Sequence, residues 1–268
     1  MRVGCDVVKV LSWEELRSVQ GQARPMAATI GAFDGLHLGH RELISRILGR
    51  EDFASAVLTF AGNPKRILSP SSFRGELTSL GQRLELIDSM GVDLCVLIDF
   101  SGDFSKLPGR QFLSMLCANG NLRFLAVGSD FRCGHRLDTD AEGVRLFCAG
   151  FSVEVELLKA VLWEGHPVSS SRIRKAILEG RVEEAALMLG RPYELDLRGG
   201  AFEAAGMIRP PEGQAAPPPG AYEAAVSYDN GESLPAIAAL EPDGLWSFDS
   251  LLDRAPNRLR LLRKVSRD

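Results

Sequence analysis

The chain has little of what marks a secreted, membrane-bound or polyanion-binding protein. Its 268 residues carry 31 lysines and arginines against 35 aspartates and glutamates, a formal net charge of -4. No global basic field exists to hold a polyanion, so nucleic acid is not an expected partner. Cysteines number five, Cys5, Cys95, Cys117, Cys133 and Cys148, and no two form a Cys-x-x-Cys pair. So low a count in so long a chain argues for a reducing compartment and against a disulfide framework. Most of them read as small buried apolar side chains. The four histidines cannot be assembled by spacing into a zinc site, and no metal ligand is assigned. No window approaches the ~18 apolar residues of a membrane helix. Asp6, Lys9 and Glu14 stand where a signal peptide would carry its apolar core. The expectation is a cytoplasmic protein without a membrane partner. The remaining composition, 45% hydrophobic and 25% charged, is that of a globular chain able to build one large domain and a small one.

Apolar periodicity alternates between strand and helix over the first two-thirds. Strands are expected at 27–30, 54–60, 93–100, 124–127 and 151–157. Helices are expected at 40–48 (Leu43, Ile44, Ile47 and Leu48 on one face), 80–90 and 108–116. Strands separated by helix-length segments imply βαβ units and a doubly wound parallel α/β sheet. Such sheets bind ligands beyond the carboxyl ends of their strands. The glycine-rich polar segments 31–40, 62–65 and 128–135 follow strands. After Leu189-Gly190-Arg191-Pro192-Tyr193 the character changes. Residues 199–220, with Pro210-Pro211 and Pro217-Pro218-Pro219, read as a linker or loop. Segments 221–228 and 234–240 then read as strands joined at Asp229-Asn230-Gly231, with 259–265 as a third. The expected organisation is a domain at 1–190 and a small β-domain at 191–268.

Three segments carry chemistry. In Gly31-Ala32-Phe33-Asp34-Gly35-Leu36-His37-Leu38-Gly39-His40 a strand feeds a glycine turn that opens a helix, whose free N–H groups suit phosphate. His37 and His40, three apart, would share a face if the helical turn includes both, and would stabilise charge on a transferring phosphoryl group. Taken alone, the segment also reads as a glycine turn with two surface histidines. Val168-Ser169-Ser170-Ser171-Arg172-Ile173-Arg174 opens a helix with capping serines and could form a second phosphate clamp, or merely a capped helix. Val127-Gly128-Ser129-Asp130-Phe131-Arg132-Cys133-Gly134-His135 suits a ligand loop, although Asp130 alone is an ordinary turn residue. His135 and His166 read as surface or satisfied structural residues.

Together these segments resemble the bacterial FAD synthetase family, bifunctional riboflavin kinase/FMN adenylyltransferases whose N-terminal module belongs to the His-x-Gly-His nucleotidyltransferase superfamily. The resemblance rests on T-I-G-A-F-D-G-L-H-L-G-H, V-L-T-F, G-V-D, V-G-S-D-F-R-C-G, V-S-S-S-R-I-R and L-G-R-P-Y. It implies a Rossmann-like fold that transfers AMP from ATP to FMN, with Mg2+ carried on the phosphates. His37, His40 and Arg174 would be catalytic. Phe33, Asp34 and Gly35 would shape the nucleotide loop, with Gly31, Gly39 and Asn63 beside them. Gly128, Asp130 and Phe131 would take the adenosine side, and Ser169, Ser170 and Ser171, with Arg174, the triphosphate. There are departures. Ala32 stands where the family often has Asn, Cys133 where Phe is commoner, and Ser171 where Thr is commoner. Thr59-Phe60-Ala61-Gly62-Asn63-Pro64 lacks the Glu and His of the family's T-F-E-P-H-P. No G-x-P-T-A-N kinase segment follows L-G-R-P-Y, so the resemblance implies a shortened, barrel-like remnant without kinase activity and a separate source of FMN. Two other readings remain: adenylylation of another phosphate acceptor, such as pantetheine phosphate or nicotinate mononucleotide, and a non-catalytic flavin- or nucleotide-binding relative.

Overall fold

A computed structural model describes residues 8–18, 24–119, 121–203, 206–250 and 252–265. Cys5 and the charged start at Asp6 lie outside the described residues. The chain forms two compact units. The first comprises Met1–Phe33, Gly39–Ser71 and Arg83–Leu162; the second comprises Asp34–Leu38, Ser72–Gln82 and Trp163–Asp268. The second therefore begins ahead of the sequence boundary at 190/191. One reason is that helix Val182–Leu189 packs on the C-terminal strand Arg258–Lys264.

The first unit is built on six parallel strands: β1 (Lys9–Ser12), β2 (Met26–Ile30), β3 (Ala54–Phe60), β4 (Leu94–Ile98), β5 (Leu122–Gly128) and β6 (Glu154–Leu158). Their order is β1-β4-β3-β2-β5-β6. From β2 the chain winds outward through β3 to β4, then returns to lay β5 on the other side of β2. That reversal is the topological switch point of a doubly wound sheet. Thr29 pairs with Ala126, so Gly31 and Gly128 each stand two residues beyond one paired position at the carboxyl ends of β2 and β5. All five residues of β2 are buried. Met26, Ala28 and Ile30 join Leu58, Val96, Leu125 and Val127 in a core closed by Leu113 and Leu116 of helix Gly109–Asn119 and by Val144 and Cys148 of helix Ala141–Ala149. Helix Leu38–Leu48 buries Ile44 and Ile47, as its apolar spacing requires.

The expected parallel α/β fold is present, with strand ends shifted by a few residues. The fifth expected strand begins late because Ser152 takes φ 57 in a turn, and β6 starts at Glu154. Strand β1, helix Trp13–Ser18 and helix Ala141–Ala149 were not foreseen. The last opens on Asp140, whose carboxylate accepts from Gly143 N at 2.9 Å, a cap that lay hidden in a glycine-bearing stretch.

The second unit carries a barrel-like antiparallel sheet of β7 (Tyr193–Asp196), β8 (Ala201–Phe202), β9 (Ile208–Arg209), β10 (Gly220–Ser227), β11 (Ser233–Leu240), β12 (Trp246–Phe248) and β13 (Arg258–Lys264). Their order is β7-β13-β10-β11-β12-β9-β8. Period-two patterning selects the inner face: Tyr222, Ala224 and Val226 of β10 and Ala236, Ala238 and Leu240 of β11 are buried. The hairpin at Asp229-Asn230-Gly231 is as expected, with Gly231 at φ 82. The stretch 199–220, expected as a linker or loop, is largely loop among its described residues but also pairs with the sheet. That stretch supplies β8 and β9, and Gln214 bridges Glu76 in parallel. Its prolines and glycines concealed a few residues that pair tightly.

Arg83, 1% exposed, holds the ends of β2 and β3. Its Nη1 donates to Ala32 O at 2.8 Å, Phe60 O at 3.0 Å and Thr59 Oγ1 at 3.2 Å. Replacing it strands the buried Thr59 hydroxyl and two partly buried carbonyls, each costing up to about 1–3 kcal/mol. Arg83→Leu is therefore expected to lower the unfolding free energy by about 3 kcal/mol or more in urea titration; an unchanged midpoint would contradict this role.

Candidate active site

The segment 31–40 leaves β2 under unusual backbone strain. Phe33 (φ 48), Gly35 (φ 81) and Leu36 (φ 40) all have positive φ. For an L residue that costs about 1–3 kcal/mol and persists only where the surroundings over-determine it. Phe33 and Leu36 are buried. Gly35 is required twice over: its φ suits glycine, and a Cβ there would lie 2.8 Å from Leu77 Cδ1.

Within the second unit Asp34 is the anchor. Its Oδ1 accepts from Leu77 N at 2.7 Å and Thr78 N at 3.2 Å, and its Oδ2 pairs with Arg174 Nη2. Arg174 also donates from Nε to Gly75 O at 2.6 Å. Both side chains are nearly inaccessible, 4% for Asp34 and 9% for Arg174. Ser170 Oγ donates to Asp34 O at 2.8 Å, Gly35 N to Thr78 Oγ1 at 3.1 Å, and Arg191 Nη2 to Gly35 O at 2.9 Å. Ser169 caps helix Ser170–Leu178, its Oγ accepting from Arg172 N at 3.2 Å. Ser171 is exposed in the first turn of that helix.

The two histidines do not share a helical turn as expected. His37 directly precedes helix Leu38–Leu48 and belongs to the second unit; Gly39 and His40 fall in the first turn, within the first unit. That turn has no acidic residue, so no carboxylate of its own first turn offsets the positive end of the helix dipole. The His40 ring lies against Phe33, centroids 5.0 Å apart. His37 is buried, and desolvation, reinforced by the charge of Arg191, lowers its pKa to about 4. At neutral pH it is an uncharged imidazole that can donate one hydrogen bond.

In the first unit Gly31 N donates to Leu58 O at 3.1 Å. After β5, Phe131 N donates to Gly128 O at 2.9 Å, closing a turn. The Asp130 carboxylate folds back so far that a Cβ on Gly128 would stand 2.8 Å from Oδ1. Asp130 is exposed, and Phe131 packs on the core. Asn63 is buried, its Oδ1 accepting from Lys65 N at 3.1 Å ahead of the short helix Lys65–Leu68. His135 and His166 are exposed, and His135 Nδ1 contacts Ser105 O at 3.1 Å. No group of three His, Cys, Asp or Glu residues among the described ones could hold a metal ion. Sequence reasoning missed Arg83, Thr78 and Arg191. The signal for Arg191 was its place in L-G-R-P-Y; for Arg83 it was a guanidinium interrupting the apolar period of a helix.

The FAD synthetase family matches residues 19–172, more than half of the chain. The chain belongs to the FAD synthetase family. It is 29% identical over 177 residues to the bifunctional riboflavin kinase/FMN adenylyltransferase of Buchnera aphidicola subsp. Schizaphis graminum, covering 64% of this chain and 57% of that one. It is 31% identical over 168 residues to the protein of the same name from Listeria monocytogenes, covering 61% and 53%. With the FAD synthetase of the same organism it shares 26% over 174 residues, covering 64% and 71%. The chain thus spans a little over half the length of the bifunctional relatives it matches. The crystal structure of a macrolide-efflux protein from Streptococcus pneumoniae has the same fold, with TM-score 0.80 and 23% identity over 97% of this chain and 93% of that one. The family match includes the strained loop, the Gly128 turn and the start of helix Ser170–Leu178. Arg174 and Arg191, which tie the loop, lie C-terminal to it.

The lowered pKa of His37 has a sign that can be measured. Between about 4 and its ordinary 6.5, the unfolded chain binds a proton that the folded chain excludes. Stability should therefore fall as pH drops through that window, by about 3 kcal/mol in full. His37→Asn should remove this part of the slope when unfolding free energies are measured from pH 7 to 4. Parallel curves for the two proteins would contradict the buried neutral imidazole.

Proposed function

We propose that this chain transfers AMP from ATP to FMN, forming FAD and pyrophosphate. The observation that carries the reading is the strained loop 33–36, locked by Asp34 and leading into a helix N-terminus that bears His40, in a chain of the FAD synthetase family. A phosphate oxygen of FMN attacks the α-phosphorus of ATP in line. The new P–O bond forms as the bond to the bridging oxygen of the β-phosphate breaks, and pyrophosphate departs. Proteins catalysing such transfers chiefly position the reactants and offset developing charge. His37, uncharged and ahead of the helix, donates a hydrogen bond to the phosphates. His40 and the Leu38, Gly39 and His40 N–H groups stabilise charge on the transferring group. Gly31 and Gly128 leave room at the switch point, and Asp130 and Phe131 shape the adenosine side. Ser171, exposed in the first turn of helix Ser170–Leu178, meets the triphosphate, with Ser169 and Ser170 ordering the helix start. Asn63, inside the divergent 61–63 segment, holds the loop after β3.

Arg174 acts as a positioning residue, because its donors go to Asp34, Gly75 and Ser170. Mg2+ enters on the ATP phosphates, which supply its oxygen ligands. Residues 191–268 lack a G-x-P-T-A-N segment, and we assign them no riboflavin kinase activity; FMN then comes from another protein. The free cysteines suit a reducing cytoplasm. Among the described residues no helix is long and apolar enough to cross a membrane.

Incubation with ATP, Mg2+ and FMN should yield FAD and pyrophosphate in equal amounts, and riboflavin in place of FMN should yield no FMN. Turnover of a different phosphate acceptor without FAD, or binding without turnover, would replace this reading. His40→Ala is expected to lower kcat by about 10²-fold or more; a wild-type rate would remove His40 from the mechanism.

A further inference from the structure

Residues 213–215 stand in the stretch that reads as a linker in the sequence and in which a kinase signature is missing. In the second unit they are instead the far side of the scaffold that holds the Asp34 loop. Glu76 N donates to Gly213 O at 2.7 Å, and Ala215 N returns a bond to Glu76 O at 2.8 Å. Gly75, at φ 90, passes so close that a Cβ would lie 2.7 Å from both Ala215 N and Gln214 C. Only glycine satisfies the conformation and the clearance together. The Gln214 amide closes the arrangement. Its Nε2 donates to Gln82 Oε1 at 2.9 Å, Glu194 O at 3.3 Å and Leu77 O at 3.4 Å, and its Oε1 accepts from Asp196 N at 2.7 Å. Ala215 is buried, and its carbonyl accepts from Tyr193 OH at 2.6 Å.

The Gly75–Thr78 segment fixed in this way presents three groups to the loop. The amides of Leu77 and Thr78 bind Asp34, and Gly75 O receives Arg174 Nε. We infer that Gln214, through the Gly75–Thr78 segment, is a positioning residue for the Asp34 loop, so that adenylyl transfer requires the C-terminal β-domain whether or not that domain has chemistry of its own. This rests on the adenylyltransferase reading above for its kinetic consequence, but not for its structural one.

The mechanism sets the form of the test. A brace that acts on loop geometry alters interactions made in the transition state, and therefore kcat more than KM; a misplacement of about 1 Å can cost about 10²-fold. Gln214→Met keeps the side-chain length and removes the amide. It is expected to lower kcat for FAD formation about tenfold with KM for ATP within about twofold, assayed well below the variant's own melting temperature. A folded Gln214→Met with wild-type kcat overturns the inference, and so does a loss confined to KM. Amide hydrogen exchange on the wild-type chain decides the structural part without any variant. The Leu77, Thr78 and Ala215 amides should open together with one free energy. Fast exchange at Leu77 and Thr78 beside a protected Ala215 would refute the brace. A wild-type chain that makes no FAD would sink the catalytic reading alone and leave the exchange result to stand or fall by itself.

Discussion

A carboxylate and a guanidinium, both almost withdrawn from water, meet at Asp34 and Arg174. Burying such a pair carries a desolvation cost that its mutual attraction only roughly offsets, so the pair is a poor source of net stability. What it supplies is geometry. Removing either partner would leave an uncompensated buried charge, at a cost of about 3–5 kcal/mol. The loop therefore has one arrangement far below the others. The Leu77 and Thr78 amides and the Gly75 carbonyl fix where the pair sits, and Ser170 reads out its position by binding the Asp34 carbonyl.

That constraint explains why the strained backbone persists. Phe33 and Leu36 at positive φ, with Gly35 between them, would relax in a free peptide. Here Phe33 is buried, Arg191 and Thr78 hold the two ends of the Gly35 peptide unit, and Asp34 cannot move without stranding a charge. The strain aims the chain into helix Leu38–Leu48 so that its unopposed N-terminus follows the turn. His37 is kept neutral at physiological pH by its burial and by the charge of Arg191.

Much of this was legible in the sequence, and for stated reasons. Strand and helix alternation gave the parallel sheet, because β2 and β5 are buried on both faces and read as continuous apolar runs. The glycine-bracketed histidine segment was visible because close backbone approach restricts residue choice. In the 199–220 stretch the proline and alanine content masks Gln214, two of whose partners, Leu77 and Gln82, lie 137 and 132 residues away in sequence. Arg174 reads in the sequence as a catalytic and triphosphate-holding residue; spacing alone does not reveal that its donors also meet Asp34, Gly75 and Ser170. Arg83 escaped for a similar reason: two of its three acceptors are main-chain carbonyls, which leave no mark in the residue pattern.

Loop geometry, set by one buried ion pair, is the condition for the adenylyl transfer proposed above. The measurement closest to that claim is kcat for FAD formation by Asp34→Asn, which keeps the side chain's shape and removes its charge. The account predicts a folded variant whose kcat falls by about 10²-fold or more while its KM for ATP changes little. A folded Asp34→Asn protein turning over at the wild-type rate would contradict it.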